Sequence, residues 1–108
     1  YGRSMDYKVI ISELAEAQLD HIVFYILSEL SNEQAAISVL NDAEETKLRL
    51  THVAGSLKLS DHPRLRELGY RIIHFKRHQY IMAYKIQGKE VHVEGIYHCS
   101  QDYQNVLR

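Results

Sequence analysis

The 108-residue sequence predicts an α+β fold with the element order β-α-α-β-β-β. Three observations predict it. Residues 12–53 contain no proline and place apolar side chains three and four positions apart, the period of a helix face. Residues 69–98 hold three short runs in which apolar and polar side chains alternate, the period of a strand. Ahead of the helical stretch stands Tyr7-Lys8-Val9-Ile10-Ile11, short and rich in residues that favour strands.

The elements follow in order. Ser12 closes the first strand and is placed to cap a helix, with Glu13 and Glu16 complementing the free N–H groups and the dipole behind it. That helix runs to about Leu30, with Ala15, Leu19, Ile22, Ile26 and Leu30 as its buried stripe and Val23 and Leu27 widening it. Ser31 with Gln34 fits a capping box for a second helix, which reaches about Val53 and turns Ala36, Val39, Leu40, Ala43 and Leu50 inward. So short a link makes the two helices an antiparallel hairpin. Residues 54–68 read as loop. Pro63 there disfavours helix in the residue before it, and Arg64 to Leu68 is a candidate short turn. Tyr70–Phe75, Tyr80–Ile86 and Glu90–His98 then form a three-stranded antiparallel meander. Gln87-Gly88-Lys89 is its tight turn. At Gly95 the alternation of Val91 and Val93 slips to Ile96, which predicts a β-bulge that re-aims everything after it.

Length and composition suit one compact domain, residues 5–108, with residues 1–4 (Tyr-Gly-Arg-Ser) as an expression scar ahead of Met5. No apolar run approaches about 18 residues, so no membrane span is expected. A single cysteine, Cys99, excludes an internal disulfide or a thiolate cluster and suits a reducing cytoplasm, where it acts as a small hydrophobe. The net charge of −1 conceals an asymmetry. Residues 12–46 carry eight acids and no Lys or Arg, whereas residues 64–85 carry six bases against Glu67 alone. This polarity points the sheet half toward an anionic target, unless each half merely solvates its own surface.

Chemistry has few candidates. The seven histidines show no metal-ligand spacing, no glycine-rich phosphate loop is present, and no Ser-His-Asp order stands out. No metal and no cofactor are expected. His98, after the bulge at a strand end, is the candidate for acid–base work, or else caps the sheet. Arg71, on the neighbouring basic strand, could hold a phosphate. Arg64, Arg66, Lys76, Arg77 and Lys85 complete the basic set that would meet a target or a nucleic acid, and Tyr103 either stacks on a base or packs the tail.

The order β-α-α-β-β-β, together with Leu68-Gly69-Tyr70-Arg71-Ile72-Ile73, Tyr80-Ile81-Met82-Ala83-Tyr84-Lys85-Ile86, Val91-His92-Val93-Glu94-Gly95-Ile96-Tyr97-His98 and Gln101-Asp102-Tyr103, resembles the RelE/ParE superfamily of bacterial toxins over Tyr7 to Leu107. The resemblance implies the toxin half of a type II toxin–antitoxin pair. It also implies an antitoxin protein that wraps and neutralises the toxin over an apolar groove. RelE-like members are ribosome-dependent mRNA endonucleases; ParE-like members poison DNA gyrase without being enzymes. As a nuclease this chain would use His98 and Arg71. Its departures are Ile81, where nucleases usually carry arginine, and Ile73, two positions after Arg71, where a second base is expected. These departures, the long helices and the Gln101-Asp102-Tyr103 tail lean toward the ParE branch. An interaction domain whose toxicity has been lost is the remaining alternative.

Overall fold

The structure, a computed structural model, describes residues 6–107; residues 1–4, read above as an expected expression scar, lie outside them, as do Met5 and Arg108. In chain order it contains β1 (Lys8–Ile11), α1 (Glu13–Ser28), α2 (Glu33–Val53), α3 (Pro63–Leu68), β2 (Arg71–His74), β3 (Tyr80–Gln87) and β4 (Glu90–His98), with short 3-10 turns at Ala54–Ser56 and Tyr103–Asn105. The four strands form one sheet in the order β1-β4-β3-β2. The meander is antiparallel throughout. β1 returns beside β4 in parallel, Val9 facing Val91 and Ile11 facing Val93.

The helices start where short polar side chains can accept their free N–H groups. The Ser12 hydroxyl accepts from the Ala15 N–H at 3.0 Å. The second helix is capped by Asn32, whose Oδ1 accepts from the Ala35 N–H at 3.0 Å, and not by Ser31. Ser31 instead adopts a φ of 48° and turns the chain between the helices. Because α1 stops at Ser28, Leu27 and Leu30 project past the packed part of the hairpin and are exposed. Leu40 is exposed too, since the buried face of α2 is Ala36, Val39, Asp42, Ala43, Thr46 and Leu50. Pro63 begins a helix rather than ending one. Its fixed φ suits the first helical position, where its missing N–H costs nothing. Gly69, at a φ of 90°, terminates α3 in the left-handed conformation that glycine tolerates.

The sheet has two covered faces. Ile73, Met82, Tyr84, Val91, Val93 and Ile96 meet the α1–α2 hairpin and form the main core. Leu65, Tyr70, Ile81, Ala83, Tyr97 and Leu107 form a second cluster on the opposite face, under α3 and the C-terminal tail. The expected bulge separates them. β3 pairs Ala83 with Gly95 and Tyr84 with Val93, leaving Glu94 as the extra residue of β4. One α1 side chain and the α1 N-cap satisfy the disrupted ladder: Gln18 Oε1 accepts from the Ile96 N–H at 2.7 Å, and the Ser12 hydroxyl donates to the Glu94 carbonyl at 3.4 Å. The bulge thus puts Ile96 beneath the helices and Tyr97 on the other side. At the hairpin between β3 and β4, Gly88 at a φ of 61° occupies the first position of a two-residue turn.

Candidate functional site

Cross-strand pairing locates the two expected catalytic residues. Arg71 stands opposite Tyr84, and His98 opposite Tyr80. Both therefore lie on the helix-facing side, but their β3 partners are four residues apart, about 13 Å along the strand, and β3 itself lies between them. Arg71 is half-buried, and its Nη1 donates to the Leu57 carbonyl. His98 Nδ1 lies 2.7 Å from the Ser100 hydroxyl, and its ring meets Tyr80 edge-on at 5.3 Å. The two side chains thus share a face of the sheet but do not adjoin. Ile73 and Ile81 are both buried in the core clusters, which accounts for aliphatic side chains at positions where a nuclease carries bases.

The remaining bases are dispersed. Arg64 Nη1 donates to the Gln104 carbonyl at 2.7 Å and ties α3 to the tail. Arg66 Nη1 donates to the Asp61 carbonyl at 3.2 Å. Lys85 Nζ sits 4.6 Å above the Tyr70 ring on the face away from the hairpin, beside the His92–Glu90 pair at 3.0 Å. Tyr103 stacks on Tyr97 at 5.7 Å with 24° between the rings, so it packs the tail.

Lys76 and Arg77 lead to a group that sequence reasoning missed. Asp42, counted there only as one acid of α2, is fully buried. Its Oδ1 accepts from the Lys76 N–H at 3.2 Å, and its Oδ2 accepts from the Arg77 N–H at 2.8 Å. His78 Nδ1 reaches the same Oδ2 at 2.8 Å, and His78 Nε2 lies 3.4 Å from the Ser38 hydroxyl. The Arg77 guanidinium pairs with Glu45. Burial pushes the Asp42 carboxyl upward, but the His78 hydrogen bond and the two backbone N–H groups outweigh it and hold the group below the usual range. His78 is therefore not one of a scatter of surface histidines, and Ser38-Asp42-His78 is a Ser-His-Asp connection that no spacing announced. The α2 period gave a weak signal for Asp42, since 39, 42, 43 and 46 fall on one face.

A second polar surface is a cleft of about 370 Å³ between the 57–62 segment, β2 and the tail. His62, His74 and Tyr103 line it. His62 Nδ1 is buried and meets no hydrogen-bond partner among the described residues. Cys99, exposed rather than buried as a small hydrophobe, places its Sγ 3.9 Å from His74 Nδ1. Among the described residues no group of three or more His, Cys, Asp or Glu could hold a metal ion, and no helix is long and apolar enough to cross a membrane.

Fold and surfaces together define a small α+β protein: a helical hairpin braced on a four-stranded sheet, with its polar groups spread over separate surfaces. A family model described as the ParE toxin of the type II toxin–antitoxin system, parDE, matches residues 9–103, and the chain belongs to that family. A solved structure described as the chromosomal ParDE toxin–antitoxin system from P. aeruginosa superposes with a TM-score of 0.72 at 23% identity, covering 88% of this chain and 98% of that chain. At that identity the likeness is one of fold. No functionally curated protein matches the sequence.

Proposed function

We propose that this toxin arrests growth in the cytoplasm by binding and trapping DNA gyrase, and that it does so without chemistry of its own on nucleic acid. The observation that carries this is the separation of Arg71 and His98. Cleavage of a phosphodiester needs a proton-transfer group and a cation within hydrogen-bond reach of one phosphate. Here Arg71 is engaged by the Leu57 carbonyl, and His98 lies beyond the intervening strand. Its regulator is a cognate antitoxin protein. The exposed Phe24, Tyr25 and Leu27 at the distal half of α1, with Leu30 just beyond its end, support an apolar docking surface for it. Purified alone, the toxin is then expected to be poorly soluble, and a stable soluble monomer would count against this docking surface.

One observation favours a second reading, an endoribonuclease: the cleft that gathers His62, His74 and Tyr103, where two imidazoles border one space. Induced expression separates the two. Gyrase poisoning gives double-strand breaks, a DNA-damage response and intact messages, all retained in Arg71→Ala and His98→Ala. Mapped cuts in ribosome-bound messages, abolished by His98→Ala or by His62→Ala, would overturn the gyrase reading. Growth unaffected by expression would mean that toxicity has been lost.

A further inference from the structure

We propose that Ser38, His78 and Asp42 form an activated nucleophile that accepts the acyl group of a small ester at the outer face of α2. This goes beyond gyrase binding and does not depend on it. The connectivity is directional. Asp42 Oδ2 holds His78 Nδ1 at 2.8 Å, which fixes the neutral imidazole in the tautomer whose Nε2 is free to accept a proton. That Nε2 faces the Ser38 hydroxyl at 3.4 Å, a length typical of a catalytic hydrogen bond before substrate tightens it. The orienting carboxylate is itself immobilised by two backbone N–H groups, Lys76 and Arg77, so the ring cannot swing away with it. Three residue types in these three roles make up the Ser-His-Asp arrangement, which is recognised by geometry and not by chain order.

The surroundings suit an acyl acceptor. Ser38 borders an open surface depression of about 580 Å³ shared with Gln34, Ile37, Asn41, Glu45 and Arg77. Gln34 lies one turn before Ser38 and Asn41 one turn after, so both share its helix face and line the same depression, where amide donors are available to a carbonyl oxygen that becomes negative. Ile37 supplies an apolar wall for a short acyl chain.

The step balances within these groups. Ser38 Oγ bonds to the ester carbonyl carbon while its proton passes to His78 Nε2. The ester C–O bond then breaks, and the leaving alkoxide takes that proton and departs as an alcohol. Water then bonds to the acyl carbon while giving a proton to the same nitrogen; the Oγ–C bond breaks, Ser38 Oγ takes that proton back, and the carboxylic acid departs. A fluorophosphonate follows the first half: the Oγ–P bond forms, the P–F bond breaks, and fluoride leaves.

The test uses the full chain with a fluorophosphonate probe and p-nitrophenyl acetate. Intact mass is expected to show one adduct, mapped to Ser38, and none in Ser38→Ala. His78→Gln keeps a donor to Asp42 but removes the base, and its labelling rate is expected to fall about 100-fold or more. Thermal melting of both variants confirms that each is folded. Asp42 acts as a positioning residue. A low-field Nδ1 proton resonance of His78 in the wild type, lost in Asp42→Asn, reports that role, and its persistence in Asp42→Asn would refute it. No adduct on the folded wild type, an adduct elsewhere than Ser38, or His78→Gln labelling at the wild-type rate would each overturn the proposal.

Discussion

Asp42 is the residue on which two halves of the molecule meet. A buried carboxylate is tolerated only when its charge is matched by donors. Here the donors are two N–H groups of the β2–β3 turn and the His78 ring. Asp42→Ala strands those donors, and it is expected to cost about 3 kcal/mol, seen as a lower denaturant midpoint. The sign of the pH dependence follows from its depressed pKa. The stabilisation is complete above the unfolded-state value, about 3.9, and is lost as pH falls from there through the lower folded-state value. Denaturant midpoints across that acid window should therefore fall more steeply for the wild type than for Asp42→Asn; equal slopes would count against this account. Tyr84 shows the opposite sign. Burial pushes its phenol up to about 12, and its hydroxyl donates to the Ala54 carbonyl at 2.9 Å. Its contribution is whole below about pH 10 and is lost as pH rises through the folded-state value. Ultraviolet titration should show a phenol that ionises last and disappears in Tyr84→Phe. That variant should also lose about 1–2 kcal/mol by leaving the Ala54 carbonyl unpaired.

At the scale of the element, the bulge of β4 decides which face each later residue joins. Gly95 is required there by close approach. A Cβ would come within 2.4 Å of Tyr97 Cε2, on a ring held in place by its stack with Tyr103. Gly95→Ala must displace that ring and loosen the tail, at a cost of about 1–3 kcal/mol. Differential scanning calorimetry should show a lower melting temperature, accompanied by faster proteolysis after residue 98. An unchanged melting temperature would mean that the ring moves freely. Tyr103→Ala should reproduce part of the loss, because an aromatic pair contributes about 0.5–1.5 kcal/mol beyond its buried area.

Across the whole molecule, part of the charge asymmetry is met within the protein. The acidic α2 and the basic turn after β2 are joined through Asp42, Glu45, Arg77 and His78. Arg64, Arg66 and Arg71 are engaged by backbone carbonyls. With a net charge of −1, the whole molecule offers no excess of positive charge to a polyanion. The protein is expected to pass through a heparin column at roughly 0.15 M salt; retention there would revive the nucleic-acid reading. A protein antitoxin that binds only the folded toxin stabilises it by mass action, about 2.7 kcal/mol at 100 times its Kd. For a domain of this size that is a rise of roughly 10–20 °C in melting temperature. A melting temperature independent of added antitoxin would remove the partner assignment.

Local chemistry determined a good deal of this protein from its sequence alone. Element order, the Ser12 cap, the Gly88 turn and the slip at Gly95 are written in periods and residue types that act over a few positions, and the resemblance over Tyr7 to Leu107 carried the family. Three local signals misled. Ser31 stood where Asn32 caps, Pro63 opened a helix, and Leu30 and Leu40 kept the helix period while facing solvent. Periodicity marks a face but not whether anything covers it. Only tertiary structure decided that β1 pairs in parallel with β4, that Arg71 and His98 stand apart, and that Ser38, Asp42 and His78 come together. The β1–β4 pairing joins residues 82 positions apart, and the His78 contacts join residues 36 and 40 positions apart; such separations are bridged by how the hairpin docks on the sheet, which no short-range pattern encodes.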